Sequence, residues 1–597
     1  MQHVLFEPPS TWTPPDPATL PEWPRRGRVA VDLETWDPNL KTTGPSVRTG
    51  GHIAGFSFAI EGGPEFYLPI AHKGGGNLDE AQITRYMAHN LKRFEGELVG
   101  TNLAYDLDWL WYYGLRTNAS KYLDVMVASA LINEHRRSHS LDANARRYLN
   151  ETKVRTVLDE AADTFFPGRE SGDVIALLHS KYVGAYATAD SSQPLRILRK
   201  QEKEIEEQEL DRVWNLESRV LPAIVAMKQR GVRVDKEQLQ VMENKCLEMM
   251  GTWSSELARE ASYRVRPTDA MKSDIIRTAL RRCDVHAPES IDKDWLSSNS
   301  HKHKAINCVL QLRRWSTLLN LSVASVKRHL VGDRIHCNFN QVRDGKRGAR
   351  YGRFSCSNPN MQHQPKRGTE GAAEWRKVYI AEDEEEWCSL DYSQQEPRLL
   401  VHFAELAKLP RADEVGARYR DNPDMDFHGE MSAMASILRD HAKIIFLGLC
   451  YGMGVDKLKK QLSSRGGEGG DATTVFRKFH SGVPFVAKLS ELAGRVAKQR
   501  GYVKTLSGRR CRFPASMSSH KALNRIIQGS AADQTKEAMA CAHEAGLPVN
   551  LQVHDELNIS VSDRKVGQQL KEIMLDCVTL VVPSKVDVGY AQNWGEV

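Results

Sequence analysis

Acidic side chains at short, fixed spacings are the residues of this sequence best placed to do chemistry. In VAVDLETW, Asp32 and Glu34 stand two apart on a predicted strand, so both side chains leave the same face. NLAYD sets Asn102 and Asp106 four apart at a predicted helix start, and YATAD sets Tyr186 and Asp190 four apart on another helix. Taken singly, each pair is what a solvated face commonly shows. Taken together they are different: four converging carboxylates cannot all stay ionised without cations. Two divalent ions about 4 Å apart are the usual arrangement for phosphodiester hydrolysis.

A second acidic set lies towards the C-terminus. SLDYSQQEPR steps from an apolar, strand-like stretch into Asp391, and Pro397 suits a first helical turn. LQVHDELNISV is an apolar run that nonetheless carries His554, Asp555 and Glu556. An unpaired carboxylate is costly to bury there, and a cation is its natural partner. Phosphoryl transfer uses one metal to activate the attacking hydroxyl and another to hold the leaving group, so Asp391 and Asp555 read as metal ligands. Between these acids, LRDHAKIIFLGLCYGMG places Arg439, Lys443, Leu447 and Tyr451 at every fourth position. On a helix they form one slowly turning stripe, cationic at one end and aromatic at the other. By itself the segment reads as an amphipathic helix with a basic patch.

Several elements must hold these groups. A chain of 597 residues exceeds what one core organises and predicts three to five compact units. Residues 1–27 are proline-rich without periodicity and read as an irregular lead-in. From Arg28 to about residue 198, strand-like runs (RVAVDLE, HIAGFSFAI, EFYLPI) alternate with helical stretches, an α/β pattern. Strands then disappear, and the charged, helix-periodic KQEKEIEEQELDRVWNLESRVLPAIVAMKQRG leads into a mainly helical region up to about residue 330. Beyond it both element types mix again, so the chain is an α/β multidomain protein.

Apolar content of 41% against 26% charged residues describes a globular chain and excludes a disordered one. No apolar run approaches the ~18 residues of a spanning helix, and no signal peptide opens the sequence; a cytoplasmic protein with no membrane partner is expected. Ten cysteines stand singly without a CxxC pair and read as reduced. A net charge of +6 is compatible with a polyanionic partner without arguing strongly for one. RDGKRGARYGR, residues 343–353, suits a phosphate-hugging segment or a solvated loop equally.

Order now adds to spacing. The D-x-E strand, N-x3-D helix and Y-x3-D helix, with SHSLDANARRYL between the last two, resemble the DEDDy exonucleases, the ribonuclease-H-like proofreading domain of A-family DNA polymerases. The stripe from Arg439 resembles that family's R-x3-K-x3-F/Y-x3-YG fingers helix, and DYSQQEPR and VHDE resemble its palm motifs. YGRFSCSNPNMQHQPKR, NRIIQGSAAD and GYVKTLSGRRCRFP are similar to three further blocks. The resemblance covers about residues 28–597, with at least eight motifs in order.

It implies a template-directed DNA polymerase with its own 3′→5′ proofreading exonuclease, in which a primer 3′-hydroxyl attacks the α-phosphate of a dNTP. The implied fold is a ribonuclease-H-like domain at 28–198 and then a right-hand polymerase. That polymerase has a helical thumb at 199–345, a palm at 346–429 and 531–597, and helical fingers at 430–530. Two Mg²⁺ or Mn²⁺ ions are implied per active site, held by Asp32, Glu34, Asp106 and Asp190 in one and by Asp391 and Asp555 in the other. Tyr186 would orient the attacking water. Arg439 and Lys443 would grip the triphosphate, Lys443 also protonating the departing pyrophosphate, with His428 of the DFH motif beside them and Tyr392 in the same dNTP site. Tyr451 would stack near the templating base. Leu447, where the family usually has Phe or Tyr, would sit by the 3′ carbon of the incoming sugar, and Glu396 beneath that sugar, excluding a 2′-hydroxyl. Arg353, Asn524 and Gln528 would follow the minor groove, whose shared acceptors report shape more than sequence, and His554 and Arg398 would also contact DNA. Implied partners are primer–template DNA, a single-stranded 3′ end, and a helicase or single-strand-binding protein. With nothing ahead of residue 28 to form a 5′ nuclease, the chain resembles a bacteriophage replicase acting in the host cytoplasm.

Overall fold

The computed structural model describes residues 7–152, 154–342, 351–365, 368–450, 456 and 472–597, without the side chains of 449, 450 and 472. Its first part is built on a five-stranded sheet: β1 (Arg28–Trp36), β2 (His52–Ile60), β3 (Glu65–Pro69), β4 (Glu97–Gly100) and β5 (Lys121–Asp124), in the order β3-β2-β1-β4-β5. Strand β1 is central, antiparallel to β2 and parallel to β4. Its alternation decides what each face does. Val29, Val31 and Leu33 enter the largest apolar core, whereas Asp32 and Glu34 point the other way. Helix α1 (Leu103–Tyr112) follows β4, and α2 (Gly184–Glu207) lies across β1, β2 and β3.

Helix α2 runs unbroken through the expected boundary at residue 198, and α3 (Asp211–Arg230) follows it directly. From residue 7 the segment ahead of β1 holds one short 3-10 turn, Pro17–Thr19, and is packed. Trp23 is 2% exposed, sits against Phe58 and Phe94, and its backbone N–H donates to Asn90 Oδ1 at 2.7 Å.

After α3 the chain is mainly helical, with long helices at Lys236–Ala261 and Lys304–Thr317 packed together. A small sheet interrupts it: Val232–Val234 pairs with Tyr379–Ile380 and Arg334–Ile335, and the latter with Leu330–Val331. Strands of two or three residues are too short to show a period of two, which is why the sequence reads as strand-free there.

The last part holds a four-stranded antiparallel sheet of β6 (Glu386–Tyr392), β7 (Val549–Val553), β8 (Glu556–Val561) and β9 (Val586–Ala591), in the order β7-β8-β6-β9. The run LQVHDELNISV therefore spans parts of two strands, with His554 and Asp555 as the turn between them and His554 at φ +60°. Every residue of β7 and β8 is buried, so no alternation marks the break. Around the sheet stand α4 (Gln395–Leu406), α5 (Phe427–Ala435), α6 (Arg439–Cys450), a helix at Pro484–Arg500, and the 23-residue α7 (Ala522–Glu544). Leu399, Phe427, Phe446, Phe485 and Ile527 join these helices into a second core. Among the described residues no helix is long and apolar enough to cross a membrane.

Candidate active sites

Asp32, Glu34 and Asp190 come together on the face of β1 covered by α2, with carboxylate oxygens all within 4.8 Å of one another. Asp106 stands beside this trio rather than within it: its Oδ1 accepts from the Leu33 N–H at 3.0 Å. Burial, and then the charge of Asp32, pushes Asp106 well above the usual carboxylate range. Asn102 starts α1 from the left-handed region, at φ +57°. Tyr186, one turn before Asp190 on α2, is 8% exposed, and burial followed by the charges of Asp190, Glu34 and Asp32 holds its hydroxyl protonated. Two neighbours carry no sequence signal. Arg155 lies 5.5 Å from the centre of the Tyr186 ring, and Tyr67 is raised by burial and then by Glu34 and Asp32.

The second acidic set gathers at the end of β6. Register pairs Asp391 with Glu556, and the β7–β8 turn brings Asp555 against the same end, its carbonyl accepting from Tyr392 N–H at 3.4 Å. Burial raises Asp555, the charge of Glu556 adds to this, and Arg353 opposes it. Glu556 braces the strand ends, since its Oε1 accepts from both Ser389 Oγ and Trp594 Nε1 at 2.6 Å. A cleft of about 130 Å³ opens here, lined by Arg353, Gln362, Glu396, Lys536, His554 and Asp555 among others. Arg353 and Glu396 are joined in it by an ion pair of 3.1 Å. Asn524 and Gln528 are half-buried on α7, and the next residue of their stripe, Ala532, lines the cleft.

Two expected contacts are corrected. Arg398 is 2% exposed and donates to the carbonyls of Ser393, Pro583 and Pro423, at 2.9, 2.6 and 2.6 Å. Its guanidinium also covers the Tyr419 ring at 4.5 Å, so it ties loops together inside the protein and presents nothing to DNA. Tyr392 is 3% exposed, and its hydroxyl donates to the Met574 carbonyl at 2.6 Å; its side chain is turned away from the cleft.

On α6 the expected stripe stands in register. Arg439 and Lys443 are exposed, Leu447 is half-buried, and Phe446 is fully buried against Phe427 and His428, with ring centres 4.9 and 5.4 Å away. Tyr451 lies outside the described residues. Arg439 meets Asp426 through both carboxylate oxygens, at 2.5 and 2.9 Å, and this bonding holds Asp426 below the usual range. His428, whose Nδ1 is buried without a hydrogen-bond partner among the described residues, is pulled down to about 4 by burial and then by the charges of Lys443 and Arg439. Arg439 and His428 thus stand beside Asp426, with Lys443 close to His428. That acid belongs to the same DFH motif as His428 but was not singled out from the sequence.

Paired acids at the end of an antiparallel sheet, a long helix lining their cleft and a separate helix carrying an exposed cationic stripe suit the layout of a right-hand polymerase. The chain belongs to DNA polymerase family A, whose family model matches residues 237–596. It is 39% identical to a DNA-directed DNA polymerase of Pseudomonas phage M6, over 98% of this chain and 96% of that one. A DNA polymerase I of Rhizobium leguminosarum is 26% identical over 97% of this chain and 60% of the relative. Among solved structures, the polymerase domain of Pol1 from M. smegmatis, in complex with a DNA primer–template and dNTP, has the same fold. The TM-score is 0.75, with 22% identity and 96% of each chain covered. This protein is therefore a DNA-directed DNA polymerase, acting by template-directed synthesis.

Proposed function

We propose that this polymerase carries two independent metal-dependent centres: synthesis at Asp391 and Asp555, and 3′→5′ exonucleolytic proofreading at Asp32, Glu34, Asp106 and Asp190. The observation that carries the second centre is the trio of half-buried Asp32 and buried Glu34 and Asp190 within 4.8 Å, with Tyr186 one turn away on α2. An all-oxygen donor set fits a hard divalent cation, Mg²⁺ or Mn²⁺, two per centre. Such ions, when bound, supply charge neutralisation of the phosphate and an acidified water or hydroxyl. Tyr186, kept protonated, can orient a water through its hydroxyl without competing as an anion.

In the synthetic centre, Arg439 and Lys443 form the cationic face for a triphosphate, with His428, neutral at working pH, beside them to help hold the phosphates, and Lys443 serves as proton donor to the leaving pyrophosphate. Leu447 and Glu396 flank the sugar, and Tyr451 stacks by the template base. Arg353, Asn524, Gln528 and His554 follow the minor groove. The corresponding division is exonuclease at 28–198, thumb at 199–345, palm at 346–429 and 531–597, and fingers at 430–530. The ligands are primer–template, dNTPs and a single-stranded 3′ end, with a helicase or single-strand-binding protein as replisome partner. The phage relatives support replication of a phage genome in a host cytoplasm.

Primer extension and single-strand digestion, each with and without Mg²⁺, test this directly. Asp391→Ala or Asp555→Ala should abolish extension while digestion persists, and Asp32→Ala should do the reverse. A palm variant extending at near wild-type rate would sink the assignment of its acid. Digestion undiminished in Asp32→Ala would do the same for the exonuclease.

A further inference from the structure

One residue of the lead-in, Trp12, touches a neighbour on each side of the exonuclease centre. The indole of Trp12 lies flat on Gly184: a Cβ added there would fall 2.0 Å from Trp12 Cδ2 and 2.1 Å from Cε2. Gly184 opens α2 two residues before Tyr186, and that helix start has no side-chain cap. The indole also meets the ring of Tyr67, 5.9 Å between centres.

Tyr67 in turn backs the acidic strand. It lies over Gly55, which pairs with Glu34 across β1 and β2 and where a Cβ would meet the Tyr67 hydroxyl at 2.3 Å. The ring has no freedom to drift. Its hydroxyl lies 2.5 Å from His72 Nε2, and His72 Nδ1 lies 3.1 Å from the Leu178 carbonyl. A carbonyl only accepts, so the neutral ring carries its proton on Nδ1, and Tyr67 donates to Nε2. The lead-in is itself anchored. Ser10 Oγ donates to the Lys181 carbonyl at 2.6 Å, and Glu7 takes Lys181 Nζ at 2.8 Å and the Tyr182 hydroxyl at 3.0 Å.

We propose that Trp12 is a positioning residue of this polymerase's exonuclease centre. Wedged between α2 and Tyr67, it sets the separation between Tyr186 and Asp190 on one side and Asp32 and Glu34 on the other. The inference rests on the exonuclease reading above. Only glycine at 184 lets the indole approach this closely, so the contact can be broken from either partner.

The test uses full-length Trp12→Ala, Trp12→Phe and Gly184→Ala, with digestion of a single-stranded oligonucleotide measured across its concentration range and extension of a matched primer in parallel. Loss of alignment acts on turnover: kcat for digestion should fall about tenfold or more in Trp12→Ala and in Gly184→Ala, with KM within about twofold. Extension should be unchanged, and Trp12→Phe should recover most of the loss. Gly184→Ala attacks the same contact and serves where Trp12→Ala fails to fold. An unchanged kcat, a loss confined to KM, or extension falling in step with digestion would overturn the proposal. Wild-type digestion that Asp32→Ala leaves intact would overturn the exonuclease assignment first, and this inference with it.

Discussion

Replacing Glu217 by Gln should destabilise the protein by about 3 kcal/mol at neutral pH and remove a defined part of its acid sensitivity. Glu217 lies on α3, 1% exposed, with Lys536 Nζ of α7 at 2.6 Å, itself 1% exposed, and the Arg509 guanidinium also in contact. Burial alone would raise this carboxyl, but the charges of Lys536 and Arg509 win and pull it down to about 2. Against the ordinary 4.5, that is about 2.5 units at 1.36 kcal/mol each, or about 3 kcal/mol of preference for the ionised form in the folded state. Removing one partner of a buried pair independently costs about 3–5 kcal/mol, because the opposite charge stays buried. A depressed carboxylate contributes stability that is present in full above its unfolded value and lost as pH falls through its folded one. The window is thus roughly pH 4.5 down to 2. Unfolding is not two-state in a chain of several domains, so the quantity to measure is the urea midpoint of the transition that exposes α7, followed from pH 7 to 2.5. Wild type should lose stability steeply across the window, and Glu217→Gln should start lower and lose less. Equal midpoints at pH 7, or parallel acid limbs, would refute the reasoning.

Two further substitutions test the nucleotide site. Glu396→Ala should raise rNTP use relative to dNTP several-fold or more. Its ion pair with Arg353, 37% and 21% exposed, contributes too little to carry that change, so excluded volume must; unchanged discrimination removes Glu396 from the role. Leu447→Tyr should accept ddNTPs several-fold more readily, since a tyrosine hydroxyl donates where the 3′-hydroxyl is missing and one such bond contributes ~1 kcal/mol. Single-nucleotide incorporation on the Asp32→Ala background reads this ratio without interference from terminator removal, and an unchanged ratio would leave Leu447 as packing only.

Periodicity made one face of each site legible and hid the rest. Asp32 with Glu34, and Tyr186 with Asp190, follow from spacing alone once a strand and a helix are assigned, and the fold brings three of those four groups together with the fourth one turn away. The stripe Arg439, Lys443, Leu447 is equally direct, and buried Phe446 leaves no competing register. The His554–Asp555 turn was invisible because strands covered on both faces read as one apolar run. Glu217 and Lys536 are 319 residues apart, and no local pattern links them. Trp12 is hidden differently: proline-rich chain without periodicity carries no element, yet it can still be packed by tertiary contact.

Motif letters carry two kinds of information that sequence cannot separate. In DYSQQEPR, Asp391 and Glu396 face the palm end and its cleft, while Tyr392 and Arg398, equally part of the motif, are inside. Strand alternation accounts for the first contrast, because adjacent residues of β6 leave opposite faces. Helix geometry accounts for the second: Arg398 follows Glu396 by about 200° on α4, which turns it from the cleft towards the carbonyls of Ser393, Pro423 and Pro583. A buried guanidinium needs acceptors, and three carbonyls from three separate segments give each of its nitrogens one while fixing where β6, α4 and the approach to β9 stand. The arginine thus positions the strand end that carries Asp391. A residue's place in a motif reports that the site needs it; which side of the element it occupies decides whether it meets the substrate or holds the groups that do.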